Sequence, residues 1–357
     1  MSLFHGIEFI DAATGIATGF INNSGAPQIC AQDYLLALAE GDIADHEPWS
    51  IIGYTPTFTT VESTIWSKAG VHTFPAAAQQ MEMVSSDNTQ DIGTILFNST
   101  STGGSTTTLI DTEVDFTAGG AAGVGDCVIL DKSGAVPEWG YVTEVTDANT
   151  LTIAGGFSSG GTGDTRAYLV VDYSAYTGAH AVIIEYLNGS YVEDTEIVVL
   201  NGTTAVDTVQ TDLFRPQGIA VIAAGSGMKA VGNLSLRNTA GSSTFQHITA
   251  GYTHSRSGFY TVPATKTLYV VSMTAGYGYA TNQTHYGRIY LRANYEEHSE
   301  FHTGSLMHPY AEATVANSAF GLDFKMPLVF PATTDIRVAG ISTFSGIGEV
   351  ALRGWLE

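Results

Sequence analysis

The sequence predicts an all-β fold. Hydrophobic residues make up 44% of the chain and charged residues only 13%, while 40 of the 357 residues are Gly. This balance suits short strands joined by Gly, Ser, Thr and Asn turns, because long surface helices need many charged residues. No regular alternation of strands with helices is present, which excludes doubly wound folds and α/β barrels.

The clearest strand signals lie in the C-terminal half. The segments AVIIEYL (181–187) and YVEDTEIVVL (191–200) flank Asn188-Gly189, a dipeptide typical of hairpin turns. Further short apolar segments follow at regular spacing, with turn residues between them. This spacing indicates an antiparallel jelly-roll-like β-sandwich at residues 76–96 plus 177–357, a region large enough for two sub-domains.

A block with a different character interrupts that region at residues 97–176. It opens near the low-complexity run STSTGGSTTT and closes near GFSSGGTGDT, and four or five short strands lie between them. That number of strands is enough for a small β-barrel-like module. The flexible flanks predict that the module is inserted into the sandwich at an exposed loop.

Residues 1–75 are predicted to form a mixed N-terminal segment with a docking or adaptor role. Its one plausible helix is QDYLLALAEGDIADH (32–46), where Leu35, Leu36 and Leu38 make a short apolar stripe that Gly41 ends. Extended Thr-rich sequence such as TPTFTTVEST follows this helix.

The charge of the chain argues against nucleic acid as a partner. The formal net charge is −22, of which residues 1–165 carry −18 and residues 166–357 carry −4. Attraction to phosphate needs a basic patch, and no cluster of Lys and Arg occurs in the sequence. A solvated outer surface, or a partner with basic patches, fits this charge better.

The sequence contains no signal peptide pattern at its start and no apolar run of membrane-spanning length. We therefore expect synthesis in a host cytoplasm and no membrane partner. The two cysteines, Cys30 and Cys127, imply no disulfide framework. No cofactor is expected.

The densest polar cluster is YEEHSEFHTGSLMHP, which contains His298, His302 and His308 as weak candidate metal ligands. On a strand, His298 and His302 would stand about 13 Å apart and could not bind one ion. A hydrated loop or a subunit contact is the alternative reading. Protonation of clustered histidines in acid could also loosen such a contact.

Carboxylates suggest two further hypotheses, and each has a simpler alternative. Glu193, Asp194 and Glu196 could serve glycoside hydrolysis, but Asp194 and Glu196 lie two apart on a predicted strand and are expected to share its solvent face. The oxygen-rich loops DNTQD (87–91) and TDAN (146–149) could bind calcium, although turn chemistry alone explains their Asp and Asn.

Aromatic clusters occur in GYGYATNQTHYGRIY (276–290) and GFYTV (258–262). They could stack on sugars or fill a subunit interface. No nucleophile elbow, phosphate-binding loop, H-E-x-x-H motif or paired C-x-x-C motif is found, so we expect no enzymatic activity.

Four segments together resemble a family of virion structural proteins of tailed bacteriophages, of the type found in aquatic phages. They are AAAQQMEMVSSDNTQDIGT (76–94), GAHAVIIEYLNGSYVEDTEIVVLNGTTAV (178–206), AAGSGMKAVGNLSLRN (223–238) and YTVPATKTLYV (260–270). The resemblance covers about residues 75–96 and 178–357. In the family the first two segments run together, which also marks the block between them as an insertion.

The resemblance implies a non-enzymatic component of a phage particle: a capsid decoration protein, a head fibre or a tail-associated spike. Its expected location is the virion, and its expected partners are further copies of itself, as a trimer, and the major capsid protein or other virion proteins. A receptor- or glycan-binding adhesin that touches the host surface is the alternative. An enzyme acting on polysaccharide is a third hypothesis.

Overall fold

The computed structural model describes residues 8–10, 17–21, 27–28, 46–58, 60–131, 137–154, 157, 165–278, 287–294, 308–315, 319–343 and 345–357. Within these ranges the chain contains strands and turns but no helix, and every strand pair in the described sheets is antiparallel. The predicted all-β class is confirmed. The predicted helix over 32–46 lies outside the described residues except for its last residue, His46.

Twenty-six strands are described. In chain order they are β1 (Glu8–Ile10), β2 (Ala17–Ile21), β3 (Pro27–Gln28), β4 (Glu47–Phe58), β5 (Ser63–Thr64), β6 (Met81–Ser85), β7 (Ile95–Thr100), β8 (Gly103–Ser105), β9 (Thr108–Ile110), β10 (Cys127–Leu130), β11 (Glu138–Asp147), β12 (Thr150–Ala154), β13 (Ala167–Val171), β14 (Ala179–Asn188), β15 (Glu193–Val199), β16 (Val206–Asp207), β17 (Leu213–Ala224), β18 (Leu234–Asn238), β19 (Thr244–Ile248), β20 (Phe259–Thr261), β21 (Leu268–Gly278), β22 (Gly287–Asn294), β23 (His308–Val315), β24 (Ala319–Phe330), β25 (Asp335–Ser342) and β26 (Gly346–Leu356).

These strands form six sheets. A small N-terminal sheet has the order β1-β2-β3, and the inserted sheet has the order β7-β13-β10-β11-β12-β9-β8. Sheet A (β15-β14-β17) and sheet B (β16-β6-β18-β19) form the first two-sheet unit. Sheet C (β20-β25-β22-β23, with β5 also on β25) and sheet D (β24-β21-β26-β4) form the second.

Each two-sheet unit encloses its own hydrophobic core. In the first unit, side chains of sheet A such as Val182 and Ile184 meet Met83, Leu234 and Leu236 of sheet B. The core of the second unit is larger and more aromatic, with these members buried: Trp49, Phe58, Tyr260, Leu268, Val270, Met273, Tyr277, Ile289, Leu291, Phe330, Val338 and Leu352. The alternation of apolar and polar residues along these strands therefore selects the faces that pack.

Strand β4 precedes residue 76, yet it pairs along its length with β26, the last strand of the chain. The short strand β5 likewise pairs with β25. Residues 47–64 therefore complete the second two-sheet unit instead of lying apart from it. The boundaries at residues 75, 96 and 176 stay predictions.

Strand β14 is covered on both faces, which explains its nearly continuous apolar sequence. Val182, Ile184 and Tyr186 point into the first core. On the other face, Ala181 and Ile183 belong to a separate cluster with Cys127, Ile129, Leu169 and Val171 of the inserted sheet. The inserted sheet thus packs against sheet A, and the Tyr141 hydroxyl donates a hydrogen bond to the Ile222 carbonyl oxygen at 2.5 Å.

The two chain segments that connect the inserted sheet to sheets A and B run side by side. The amide of Asp172 donates to the Thr94 carbonyl, and the amide of Gly178 donates to the Gln90 carbonyl. A Cβ at Gly178 would collide with the Asp91 carboxylate and with the Gln90 backbone, so only glycine permits this close approach. The seven inserted strands therefore leave and rejoin the rest of the chain at neighbouring points.

A buried carboxylate, that of Asp91, holds this junction. One oxygen accepts hydrogen bonds from the amides of Ala179 and Val231, each at 2.9 Å. The other accepts from the Gly232 amide and the Ser85 hydroxyl, each at 2.7 Å. These four hydrogen bonds replace the water that the carboxylate loses on burial. They also join three separate parts of the chain to Asp91.

An ion pair joins the two units to each other. The Arg215 guanidinium of sheet A donates to both oxygens of Asp335 in sheet C, at 2.9 and 3.2 Å. Asp335 also accepts from the Thr261 hydroxyl, and Arg215 donates to the Pro75 carbonyl at 2.8 Å. The guanidinium lies 3.8 Å from the centroid of the Phe214 ring. Both charges are therefore compensated although they are largely removed from water.

His72 packs beside this ion pair as a neutral ring. It stacks on Phe259 with ring centroids 3.6 Å apart, and its Nε2 lies 3.2 Å from the Phe245 carbonyl oxygen. Because a carbonyl only accepts, Nε2 carries the proton, and the buried Nδ1 has no hydrogen-bond partner in the described structure. Burial lowers the pKa of His72 to about 3.

Replacing Asp91 by Ala removes the carboxylate that three backbone amides share. We expect the free energy of unfolding to fall by about 3 kcal/mol, because each amide left buried without a partner is costly. Urea denaturation of D91A measures this. The control D207A removes an exposed carboxylate and should change stability by less than about 0.5 kcal/mol. Equal effects of the two changes would contradict the assigned role of Asp91.

His72 should make the protein sensitive to acid. Its pKa is lower in the folded than in the unfolded protein, so the unfolded chain binds a proton first as pH falls below 6.5. Between pH 7 and 4.5 this group should cost about 2 kcal/mol of stability. H72F should lose that much less stability than the wild type over the same range. H254F, which makes the same chemical change at an exposed ring, is the matched control.

Candidate binding cleft between the two units

A cleft of about 500 Å³ lies where the two units meet. One wall is formed by β4, with Trp49 and Ile51 among its lining residues, and the other by β17. Tyr260 of β20 and Glu185 of β14 also line it. The cleft therefore exists because the edge strand of sheet D and the edge strand of sheet A lie next to each other.

Trp49 and Tyr260 form the aromatic part of the cleft. Their ring centroids are 5.2 Å apart and the rings are steeply inclined at 62°. Trp49 is 8% exposed, and its indole Nε1 has no hydrogen-bond partner in the described structure. Burial and the nearby carboxylates of Glu193 and Glu47 raise the pKa of Tyr260, so its hydroxyl keeps its proton and remains a donor.

Glu185 supplies the negative charge of the cleft. It is the one exposed residue of β14, and it lies directly opposite Gly218 of β17. A Cβ at Gly218 would stand 3.3 Å from a Glu185 carboxylate oxygen, so the glycine leaves room for that side chain. On this face of β14 the inserted sheet covers Ala181 and Ile183, whereas Glu185, the next residue along the same face, is exposed.

The floor of the cleft is held by hydrogen bonds to the backbone. The side-chain amide of Gln217 donates to the Thr261 carbonyl at 2.5 Å and accepts from the Thr261 amide at 3.1 Å. The Ser255 hydroxyl accepts from the Ile219 amide. Gln217 thus ties the two units together across the cleft, and its polar atoms are already in use.

This arrangement has the composition of a small-molecule binding site. Trp49 and Tyr260 are mostly buried and give the cleft a small apolar area, while a protonated phenol and a carboxylate offer a donor and an acceptor. Tyr260 and Glu185 thus place a donor and an acceptor on the lining of one cavity.

The sequence analysis did not identify Trp49 or Glu185. Glu185 is nevertheless visible in the sequence as the one charged residue within the apolar segment AVIIEYL. Trp49 carries no such signal, because its place in the cleft depends on the pairing of β4 with the last strand of the chain.

The carboxylates predicted as a hydrolytic group do not share one face of sheet A, because Asp194 lies opposite Tyr186, which points into the first core. Glu193 lies on the same face of sheet A as Glu185, since Leu187 opposes Glu193 and Glu185 opposes Thr195. Burial and the neighbouring Glu47 raise the pKa of Glu193, while Lys266 lowers it.

Glu196 is buried, so the expectation that it shares a solvent face with Asp194 is wrong. Its carboxylate accepts from the amides of Val209 and Gln210 at 2.6 and 3.0 Å. These two hydrogen bonds close the segment after β16 against β15, and they explain why a charged residue is buried here.

The candidate histidine ligands cannot be assembled into a site from the described part of the chain. His298 and His302 lie outside the described residues, while His308 begins β23 opposite Ala293. Among the described residues, no group of three or more His, Cys, Asp or Glu side chains is placed to hold a metal ion.

The oxygen-rich loops use their oxygens within the fold. Asp87 accepts from the amides of Thr89 and Gln90, which is the pattern of a capped turn. Asp147 accepts from the Asn149 amide, and the Asn149 side chain donates to the Val114 carbonyl. Turn chemistry accounts for both loops.

The described aromatic residues of the two predicted clusters belong mainly to the core. Tyr277 packs against Phe58 with centroids 5.5 Å apart, and Phe259 stacks on His72. From these clusters Tyr260 alone is found in the cleft among the described lining residues.

A second surface feature is a row of apolar side chains across the outer face of sheet D. Val329, Tyr269, Trp355 and Pro48 lie opposite one another on its four strands. The rings of Tyr269 and Trp355 stack at 5.1 Å with an interplanar angle of 9°. Such a row on an outer sheet face is typical of a surface that contacts another molecule.

Met326 lies three residues before Val329 and is 80% exposed. It lies in a bulge of β24, where the register with β21 skips from Asp323 to Leu328. Pro327 has no amide to donate to the ladder, which explains the interruption of an edge strand at this point.

Comparison with protein-family models, curated proteins and solved structures finds no match to this chain. In the part of the chain that the structure describes, no helix is long and apolar enough to cross a membrane.

Proposed function

We propose that the protein is a non-enzymatic structural component of a bacteriophage particle, displayed as an oligomeric capsid decoration or fibre protein. The observation that supports this most is the strand order of the second two-sheet unit. Sheet D has the order β4-β26-β21-β24, and sheet C has the order β20-β25-β22-β23. Leaving aside the two-residue strand β5, the strands of this unit are numbered one to eight along the chain: β4, then β20 to β26. Sheet D then has the order one, eight, three, six, and sheet C has the order two, seven, four, five.

That order is the one of an eight-stranded jelly roll, in which two Greek keys fold over each other. We therefore propose that this unit, with β4 added from outside the predicted bounds, is the jelly-roll-like sandwich that the sequence predicts. Jelly rolls occur in viral capsid and lectin domains, and this fold alone does not choose between assembly and sugar binding. The resemblance of residues 178–357 to phage virion proteins favours assembly.

The outer face of sheet D is the surface through which assembly is proposed. Its apolar row includes the half-exposed Val329, and Met326, which is 80% exposed, lies three residues before Val329 on the same strand. Burying this row against a second copy removes apolar area from water, which helps to offset the repulsion between copies of an acidic chain. A homotrimer is the proposed oligomer, and particle proteins are the proposed further partners.

Glycan binding is the second candidate function, and the cleft between the units favours it. Trp49, Tyr260 and Glu185 supply a small apolar area, a donor and an acceptor in one cavity. Under this proposal the protein is an adhesin that contacts saccharides on the host surface.

The assembly proposal predicts the effect of charge on sheet D. The double variant M326E/V329E should weaken self-association at least tenfold, because two carboxylates would be buried in an apolar contact. Light scattering after size exclusion measures the mass at several protein concentrations. The control T143E adds a charge at an exposed position of β11 and should keep the wild-type mass. An unchanged mass for the double variant would contradict assembly through this face.

Electron cryo-microscopy of intact particles tests the location. The proposal expects density for this protein on the outer surface of the capsid or tail. Density inside the shell against DNA would contradict it, as would purified particles that lack the protein.

The glycan proposal predicts that Glu185 contributes to affinity. For a saccharide found on a glycan array, E185Q should bind about tenfold more weakly, because a hydrogen bond to a charged acceptor is stronger than one to an amide. The control E349Q neutralises an exposed carboxylate on sheet D and should bind like the wild type. Binding that is equal in both variants would exclude the cleft as the glycan site.

A further inference from the structure

A smaller cavity of about 260 Å³ opens at the same junction, away from the cleft. It is lined by the segment from Val71 to Ala76, which connects β5 to β6. Arg215, Arg337, Asp335 and Asn294 complete the lining. The cavity thus lies between sheet A and sheet C, where the two units are joined.

The cavity gathers basic side chains in a chain that has few of them. The whole chain carries 13 Lys and Arg residues against 35 acidic residues. Two of these arginines, Arg215 and Arg337, line the cavity, and a third, Arg292, lies directly opposite Arg337 on the neighbouring strand. Like charges placed opposite each other on paired strands repel, so this pairing needs a compensating negative charge.

Two described carboxylates lie at this arginine group, and neither one satisfies Arg337. Asp335 gives both of its oxygens to Arg215 and accepts from the Thr261 hydroxyl as well. Glu62 accepts from Arg292 at 2.5 Å, while its other oxygen stands 4.0 Å from Arg337.

Arg337 is therefore a largely buried cation that the described carboxylates compensate only weakly. Its Nη1 donates to the His72 carbonyl oxygen at 3.3 Å, and its Nε has no hydrogen-bond partner in the described structure. Burial lowers the pKa of Arg337, and the charge of Arg292 lowers it further although Glu62 opposes this. Burying a cation in this way is costly unless hydrogen bonds and an opposite charge accompany it.

We propose that this cavity binds a small oxyanion, a carboxylate, phosphate or sulfate group, with the Arg337 guanidinium as its main contact. Arg matches the planar geometry of such groups through paired N–H donors, which a Lys ammonium does not. Arg215 and the Asn294 side chain border the same space. The volume admits one anionic group or one acidic monosaccharide.

Titration calorimetry on the full-length protein tests the proposal at constant ionic strength, with sodium chloride as the reference salt. The probes are inorganic phosphate, sulfate and glucuronate. We expect saturable binding of at least one probe, at least tenfold weaker binding in R337Q, and an intermediate loss in R337K, which keeps the charge but not the paired donors. The control R353Q removes an exposed arginine on sheet D and should bind like the wild type.

The three probes also distinguish the sources of the anion. Similar affinities for phosphate and sulfate with no gain for glucuronate indicate a free inorganic ion. Tighter binding of glucuronate indicates the acidic group of a saccharide. Absence of saturable binding to the wild type, or equal affinity of R337Q and R353Q, would overturn the proposal. If R337Q does not fold, R337K carries the same comparison.

Discussion

The ion pair between Arg215 and Asp335 is the interaction on which the functional surfaces of this protein depend. It joins sheet A to sheet C, and both the cleft and the smaller cavity lie along that junction. A buried pair adds little net stability compared with apolar packing, but the loss of one partner is expensive, at about 3 to 5 kcal/mol. Such a pair specifies how the two units are positioned relative to each other. Thr261, Pro75 and Phe214 surround it, so one relative position of the two units satisfies all of its donors and acceptors.

The inserted sheet is positioned by a different kind of contact. Its apolar face packs on sheet A, whose other face already forms the first core, and Asp91 fixes the point at which the chain leaves and returns. An insertion held by both a packed face and a hydrogen-bonded base moves with the unit that carries it. Glu185 is exposed where that packing stops. The inserted sheet therefore sets one limit of the cleft even though none of its described residues lines the cavity.

The sequence predicts local structure well because local structure depends on local chemistry. The hairpin at Asn188-Gly189 is confirmed, since β14 and β15 pair across it. Its turn is longer than two residues, however, because the Asn188 side chain accepts from the amides of Ser190 and Val192, and the positive φ falls at Tyr191. The cleft could not be predicted in this way. Trp49 and Tyr260 are more than 200 residues apart, and only the pairing of β4 with the last strand brings them together.

The apolar face of sheet D and the arginine group at the junction differ in how their proposed contacts depend on charge. Apolar burial on sheet D is insensitive to salt and requires no partner charge, so it suits a permanent contact between copies of an acidic chain. Binding of an anion by the arginine group at the junction depends on charge and is sensitive to salt. An anion there competes with Glu62 and Asp335 for the arginines, and added salt screens its attraction to them. Arg292 and Arg337 are held opposite each other by the register of β22 and β25, so their repulsion cannot be relieved by a change of rotamer alone. An anion that enters the cavity would offset this repulsion within sheet C, and because Arg215 of sheet A lines the same cavity, an anion in contact with both Arg337 and Arg215 would also strengthen the contact between the two units.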